Sequence, residues 1–192
     1  MTVSSATASP RSGTRDRILD AALALFAEKG YEATSMREIA EQLGITKPAL
    51  YYHFDSKEDI VRALLADIET QVDALVAWTK AQPPGPDLRR QVLERWTDIM
   101  QAHGITAFKF VVANRQVVHE ISPDRSGMVA CMHELYRLLA GPEASVEEQL
   151  RVRIALMSVN MAGIVGAGID APEEEILATA RRLALELMPA AE

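Results

Sequence analysis

The sequence predicts an all-α chain of about nine helices: a small N-terminal three-helix unit, then a larger helical body. Three observations carry that expectation. Strand signals are almost absent, and apolar residues recur at helical spacing along nearly the whole chain. Glycine, proline and hydroxyl-bearing residues cut that periodicity into helix-length pieces. Two short helices joined by a glycine turn lie near the N-terminus, between a longer first helix and a long fourth one.

Each element has its own signal. Ile18, Ala22, Leu25 and Phe26 form one stripe on a first helix over 15–29, stopped by Gly30. Ser35 and Glu38 are spaced as a capping box, which opens a second helix ending at Leu43 with Gly44 as its left-handed stop. A short third helix runs from Thr46 to about Phe54. Ser56 caps a long fourth helix whose stripe includes Ile60, Leu64 and Ile68 and extends towards Trp78. After the breaker Gln82-Pro83-Pro84-Gly85-Pro86, helices are expected near 87–102, 105–121, 125–140, 145–168 and 172–188.

The totals narrow the class. A chain of 192 residues that is 48% hydrophobic can bury a proper core. Cys131 is the sole cysteine, so no intrachain disulfide forms, which fits a cytoplasmic location. Residues 1–14 are expected to be a flexible tail, since they lack the apolar run of a signal peptide. The longest apolar stretch, Ile154 to Ile169, is short for a membrane span and is interrupted by Ser158 and Asn160, so no membrane partner is expected. The net charge is −7, yet residues 1–57 are neutral and the body carries the whole acidic excess. A neutral head can still present a local basic face to phosphate.

The segment 34–57 carries the functional signal. Ala40 is small where the second helix backs onto the third, and Gly44 permits a tight turn. Ile39, Leu43, Ile45 and Leu50 are expected to pack the two helices together, with Phe54 continuing the inner face. The other face of the third helix then displays Lys47, Pro48, Ala49, Tyr51, Tyr52 and His53. Tyrosine hydroxyls and a histidine N–H donate to phosphate oxygens. Pro48 and Ala49 suit a thymine methyl, and Lys47 a guanine edge. This is a helix-turn-helix, and the expected domains are a DNA-binding head at 15–57 and an effector-binding and dimerisation body at 58–192.

The runs Thr34-Ser35-Met36-Arg37-Glu38-Ile39-Ala40, Leu43 to Phe54, and Ser56-Lys57-Glu58 resemble the DNA-binding domain of the TetR (TetR/AcrR-type) family of bacterial transcriptional regulators. The resemblance covers roughly 15–62, including Phe26, Gly30 and Tyr31. It implies that Thr34, Ser35 and Arg37 touch phosphates at the start of the second helix. It places Lys47, Pro48 and Ala49 at base edges, and Tyr51, Tyr52 and His53 on the backbone and neighbouring bases. Lys57 matches a phosphate-contacting lysine, and Arg11 and Arg15 are candidates for a further groove or phosphate contact. The implied function is a homodimeric repressor on palindromic operator DNA, released by a small molecule.

The body supplies candidates for both remaining roles. Ile176, Leu177, Ala180, Leu183, Ala184, Leu187 and Met188 form a wide apolar stripe, and the preceding helix is apolar nearly all round. Ala155, Ala162, Gly163 and Gly166 are small enough for close helix approach, so these two helices are expected to form the dimer interface. An apolar effector pocket is expected from Trp96, Met100, His103, Phe108, Phe110, Met132, Tyr136, Met157 and Met161, with Asn114 and Asn160 as polar groups. Arg115 could meet an anion, so a neutral or anionic lipophile is the expected ligand class. No cofactor and no metal are expected.

Rival readings leave distinct marks. A ligand-independent or protein-regulated DNA binder would have a dry body, and an activator would differ only in where its operator lies. A helical enzyme is the remaining alternative. Gly163-Ile164-Val165-Gly166-Ala167-Gly168 has G-x-x-G-x-G spacing at a helix end, not the dinucleotide pattern after a strand. Cys131 and His133, two apart on a helix, point to different faces and do not share a metal easily.

Overall fold

The computed structural model describes residues 13–83, 85–101, 105–124 and 126–189. Arg11, most of the expected tail, and the candidate His103 lie outside the described residues. The helices are α1 (Thr14–Lys29), α2 (Met36–Leu43), α3 (Lys47–His53), α4 (Lys57–Lys80), α5 (Pro86–Ile99), α6 (Ile105–Ala113), α7 (Arg115–Ile121), α8 (Ser126–Ala140), α9 (Val146–Val165) and α10 (Glu173–Leu187). No described residue is in a strand. None of these helices is long and apolar enough to cross a membrane.

Among the described residues ten helices stand against the expected nine, because the segment 105–121 breaks at Asn114, whose φ of −120° and ψ of 38° leave the helix. Its side chain donates to the Phe110 carbonyl at 2.9 Å. A short amide that bonds its own backbone favours such a break over continued helix. That bond uses one amide N–H of Asn114, a half-buried residue among the expected polar groups of the pocket.

The chain divides into two compact units within α4, at Ala63/Leu64, whereas the sequence reading put the boundary at residue 57. In the first unit, Ile18, Leu19, Ala22 and Phe26 of α1 are buried together with Ile39, Ala40, Leu50, Phe54, Ile60 and Val61. Leu43 and Ile45 are only half-buried. Gly44 has φ 65°, a left-handed conformation that glycine adopts readily, and it lets α3 follow α2 after a tight three-residue turn.

Both expected caps of this unit form. The Ser35 hydroxyl accepts from the Glu38 backbone N–H at 3.2 Å, and the Ser35 backbone N–H donates to Glu38 Oε2 at 2.9 Å. Ser56 does the same service for Asp59 at 3.1 Å. The Ser35 backbone N–H, then its hydroxyl, then Lys29 hold the Glu38 carboxyl down at about 2, against an ordinary 4.5. A depressed carboxyl stabilises the fold above its unfolded pKa and loses that contribution as pH falls through the folded one. Glu38→Gln is therefore expected to flatten the acid limb of unfolding between about pH 4.5 and 2. Unfolding midpoints of both proteins across that window check it.

In the second unit, Val72, Leu75, Leu93, Trp96, Leu135, Leu139, Val152, Leu156 and Val159 belong to one buried cluster. α9 and α10 lie along each other. Gly166 is needed at their crossing, since a Cβ there would meet Ile176 Cγ2 at 2.6 Å. Arg89 ties α5 to two helix ends, donating to the Leu139 carbonyl at 3.0 Å and the Pro189 carbonyl at 2.8 Å. A cation is the suitable partner for carbonyls at helix C-termini.

Candidate nucleic-acid interface

α3 is held by one side and free on the other. Thr46 caps it, accepting from the Ala49 N–H at 3.3 Å, and Leu50 and Phe54 anchor it in the core. Lys47, Pro48, Ala49, Tyr51 and Tyr52 are exposed, and His53 is half-exposed. Tyr52 is 87% exposed, so its ring and hydroxyl are open to a partner outside the unit. The rings of Tyr52 and His53 meet edge to face at 5.3 Å. Lys47 has no ion pair with any described residue, so its charge is available to a ligand.

The flanking residues divide differently from the expectation. Thr34 is 2% exposed, and its hydroxyl donates to the Gly30 carbonyl at 2.8 Å. It closes the α1–α2 connection from within and does not reach the surface, which removes it from the phosphate contacts. Ser35 is exposed, but its hydroxyl is engaged in the cap. Arg37 is exposed and pairs with Glu41 at 2.7 Å, a solvated partner that a phosphate can displace. Arg15 lies within α1 with its guanidinium 5.0 Å from the Phe54 ring centroid. Lys57 is half-buried: its Nζ donates to the Tyr31 carbonyl at 2.8 Å and sits 4.4 Å from the Tyr31 ring centroid.

In the body, several candidates change role. Asn160 Oδ1 accepts from Trp96 Nε1 at 2.9 Å, and both residues are buried. The amide that interrupts α9 thus serves a tryptophan of α5 and is not left facing a cavity. Met157 is exposed on α9. Trp96, Met100, Met132 and Tyr136 share the main apolar cluster. Phe110 is buried on α6, while Phe108 is half-buried. Arg115 lines an open groove of about 620 Å³ with Val111, Val112, Val118 and His119.

The expected dimer residues also divide. Ala155, Ala162 and Ala184 are buried inside the protomer, because α9 and α10 use them against their own chain. Gly166 is buried against Ile176. Gly163, Ile176, Ala180 and Leu187 are half-buried, and Leu183 is 46% exposed. The outward face belongs instead to Leu150, Ile154, Met157, Met161, Val165 and Ile169, most of them exposed. A groove of about 320 Å³ between α9 and α10 continues it past Val165, Thr179, Ala180 and Leu183. The sequence carries the signal for this stripe, at i, i+4, i+7, i+11 and i+15 from Leu150, but an all-round apolar helix hides which face is outermost.

Cys131 donates to Asp73 Oδ1 at 2.6 Å, and that bond first, then burial, pushes the thiol up to about 11. It is a poor thiolate at neutral pH. No group of three or more metal-ligating side chains occurs among the described residues.

The head is thus a helix-turn-helix with one exposed aromatic and basic helix face, and it is followed by a larger helical unit. The chain matches the sequence model for bacterial regulatory proteins of the tetR family over residues 18–64. It is 45% identical over 73 residues to the HTH-type transcriptional repressor KstR2 of Rhodococcus jostii, 36% of each chain. It is 48% identical over 48 residues to the biofilm operon icaADBC HTH-type negative transcriptional regulator IcaR of Staphylococcus epidermidis, 25% of this chain and 26% of that one. The curated relatives are thus matched over about a third of their length or less. The structure of the ketosteroid transcriptional regulator KstR2 of Mycobacterium tuberculosis superposes with a TM-score of 0.66, covering 91% of this chain and 94% of that one at 20% identity. The body therefore shares the fold of these regulators while its sequence has diverged.

Proposed function

We propose that this chain is a transcriptional repressor that binds palindromic operator DNA as a homodimer in the bacterial cytoplasm and is released by a small lipophilic ligand. The observation that carries the reading is α3: Leu50 and Phe54 fix it in the core while Lys47, Pro48, Ala49, Tyr51 and Tyr52 stand exposed. That set combines phosphate donors with base-edge and methyl contacts on one short helix. The named relatives are a transcriptional repressor and a negative transcriptional regulator, and the tetR-family sequence model covers the segment 18–64 that contains α3.

A second copy of the chain supports sequence reading. Two recognition helices spaced about 34–36 Å apart enter successive major grooves on one DNA face. The exposed α9 stripe and Leu183 of α10 are the surface we assign to that second copy. A ligand held among the apolar side chains of the body would release DNA by favouring a different spacing of the two heads. It needs only a differential affinity for the two states.

The test is selection from a random duplex pool at stated salt by the purified full chain, with Tyr51→Ala and Lys47→Ala beside it. Enrichment of one palindrome by the wild type, with each variant losing about 1–3 kcal/mol on that site, is the expected result. A pool that stays random at low salt would sink the reading.

A further inference from the structure

The first turn of α4 holds three charged residues in a row, Lys57, Glu58 and Asp59. A helix N-terminus with a cation attracts phosphate, and two adjacent carboxylates oppose it. Each of these three side chains is tied down, two of them by the same residue. Asp59 Oδ2 accepts from the Ser56 hydroxyl at 3.0 Å and Asp59 Oδ1 pairs with Arg62 at 2.5 Å. Glu58 Oε1 accepts from the Tyr31 hydroxyl at 2.8 Å. Lys57 Nζ donates to the carbonyl of that same Tyr31 at 2.8 Å and lies over its ring at 4.4 Å.

Tyr31 therefore handles both the cation and the anion. It is 4% exposed, stacks edge to face on Phe26 at 5.2 Å, and cannot move without disturbing the α1 core. An ammonium has three N–H donors, and one carbonyl uses one of them. Lys57 keeps donors for a phosphate while its position is set. The carboxylate of Glu58, next in sequence, is the natural competitor for that ammonium. The Tyr31 hydroxyl occupies it, and the bond also helps to hold the Glu58 carboxyl below the usual carboxylate range.

We infer that Tyr31 is a positioning residue for DNA binding: its carbonyl and ring aim the Lys57 ammonium while its hydroxyl keeps the Glu58 carboxylate from neutralising it. The inference rests on the DNA-binding reading above and adds to it a residue that does not itself touch DNA. A lysine at the first position of a helix opposes the helix dipole, and this arrangement accounts for its presence there.

The experiment measures binding of the full chain to a mixed-sequence duplex across a salt series, for wild type, Lys57→Ala, Tyr31→Phe, Glu58→Gln and the double variant Tyr31→Phe/Glu58→Gln. Wild type is expected to bind with a salt slope that Lys57→Ala reduces by about 0.9 for each phosphate lost. Tyr31→Phe keeps the ring and the carbonyl but frees the carboxylate, so binding should weaken about threefold to fivefold, with a shallower slope. Glu58→Gln should bind at least as well as wild type. The double variant should recover wild-type affinity and slope, because no carboxylate remains to be restrained. A hydroxyl needed only for folding predicts the opposite, since glutamine can still accept its bond and Tyr31→Phe would then weaken both backgrounds alike. That equal loss, or unchanged binding by Tyr31→Phe, overturns the inference while leaving the regulator reading intact. A wild type that fails to bind duplex at low salt overturns both.

Discussion

Val165→Asp combined with Leu183→Asp is expected to convert the protein to a monomer and to abolish operator binding. Val165 is 70% exposed and Leu183 46% exposed, and both line the groove between α9 and α10. In a two-fold interface each substitution appears twice, so a closed dimer would bury four carboxylates with no cation to receive them. Arg181 is paired with Glu94, and Arg182 with Glu186, so the cations next to Leu183 are already engaged. An unpaired buried charge costs several kcal/mol, and the dimer dissociation constant should rise on the order of a thousandfold or more. The fold of the protomer should survive, because both side chains point away from its core. Sedimentation equilibrium and far-ultraviolet circular dichroism separate the two effects. A double variant that stays dimeric would move the interface to another surface.

Trp96→Ala is expected to destabilise the body by about 3–5 kcal/mol, from the transfer term and the cavity that a buried indole leaves. Trp96 is 3% exposed within the main cluster, and its indole N–H donates to Asn160 Oδ1 at 2.9 Å, with the Leu156 carbonyl at 3.3 Å. Asn160→Ala should cost less, about 1–3 kcal/mol, since it removes one partner and leaves the buried indole N–H with the longer contact. In the double variant the two losses should not add, because both report the same bond. Chemical denaturation of the four proteins measures the coupling. Fully additive losses would show that the pair does not act as a unit, and would return Asn160 to the candidates for ligand contact.

Much of the architecture is legible in order along the chain. The capping box at Ser35 forms as its spacing implies, because a hydroxyl and a carboxylate three residues apart find the same free N–H groups in any helix start. Gly44 takes its left-handed turn for an equally local reason. Leu50 and Phe54 face inward and Tyr51 and Tyr52 outward, since residues four apart share a helix face and adjacent ones do not. The exposed face of α3 is therefore a property of a short local stretch, and the sequence alone determines it.

What the sequence leaves open depends on partners distant in the chain. Thr34 reads as a surface hydroxyl until the carbonyls of Gly30 and Leu25 close over it. Asn160 reads as a pocket group until α5 brings Trp96 beside it, 64 positions away. Tyr31 shows no role until α4 returns Lys57 and Glu58 to it. Ala155 and Met157 lie on the same apolar helix, and only the packing of α9 against its neighbours turns one inward and the other out. Periodicity specifies that a helix has an apolar face and what its local ends do. Which residue meets that face is set by long-range packing, and that was decided by the tertiary structure.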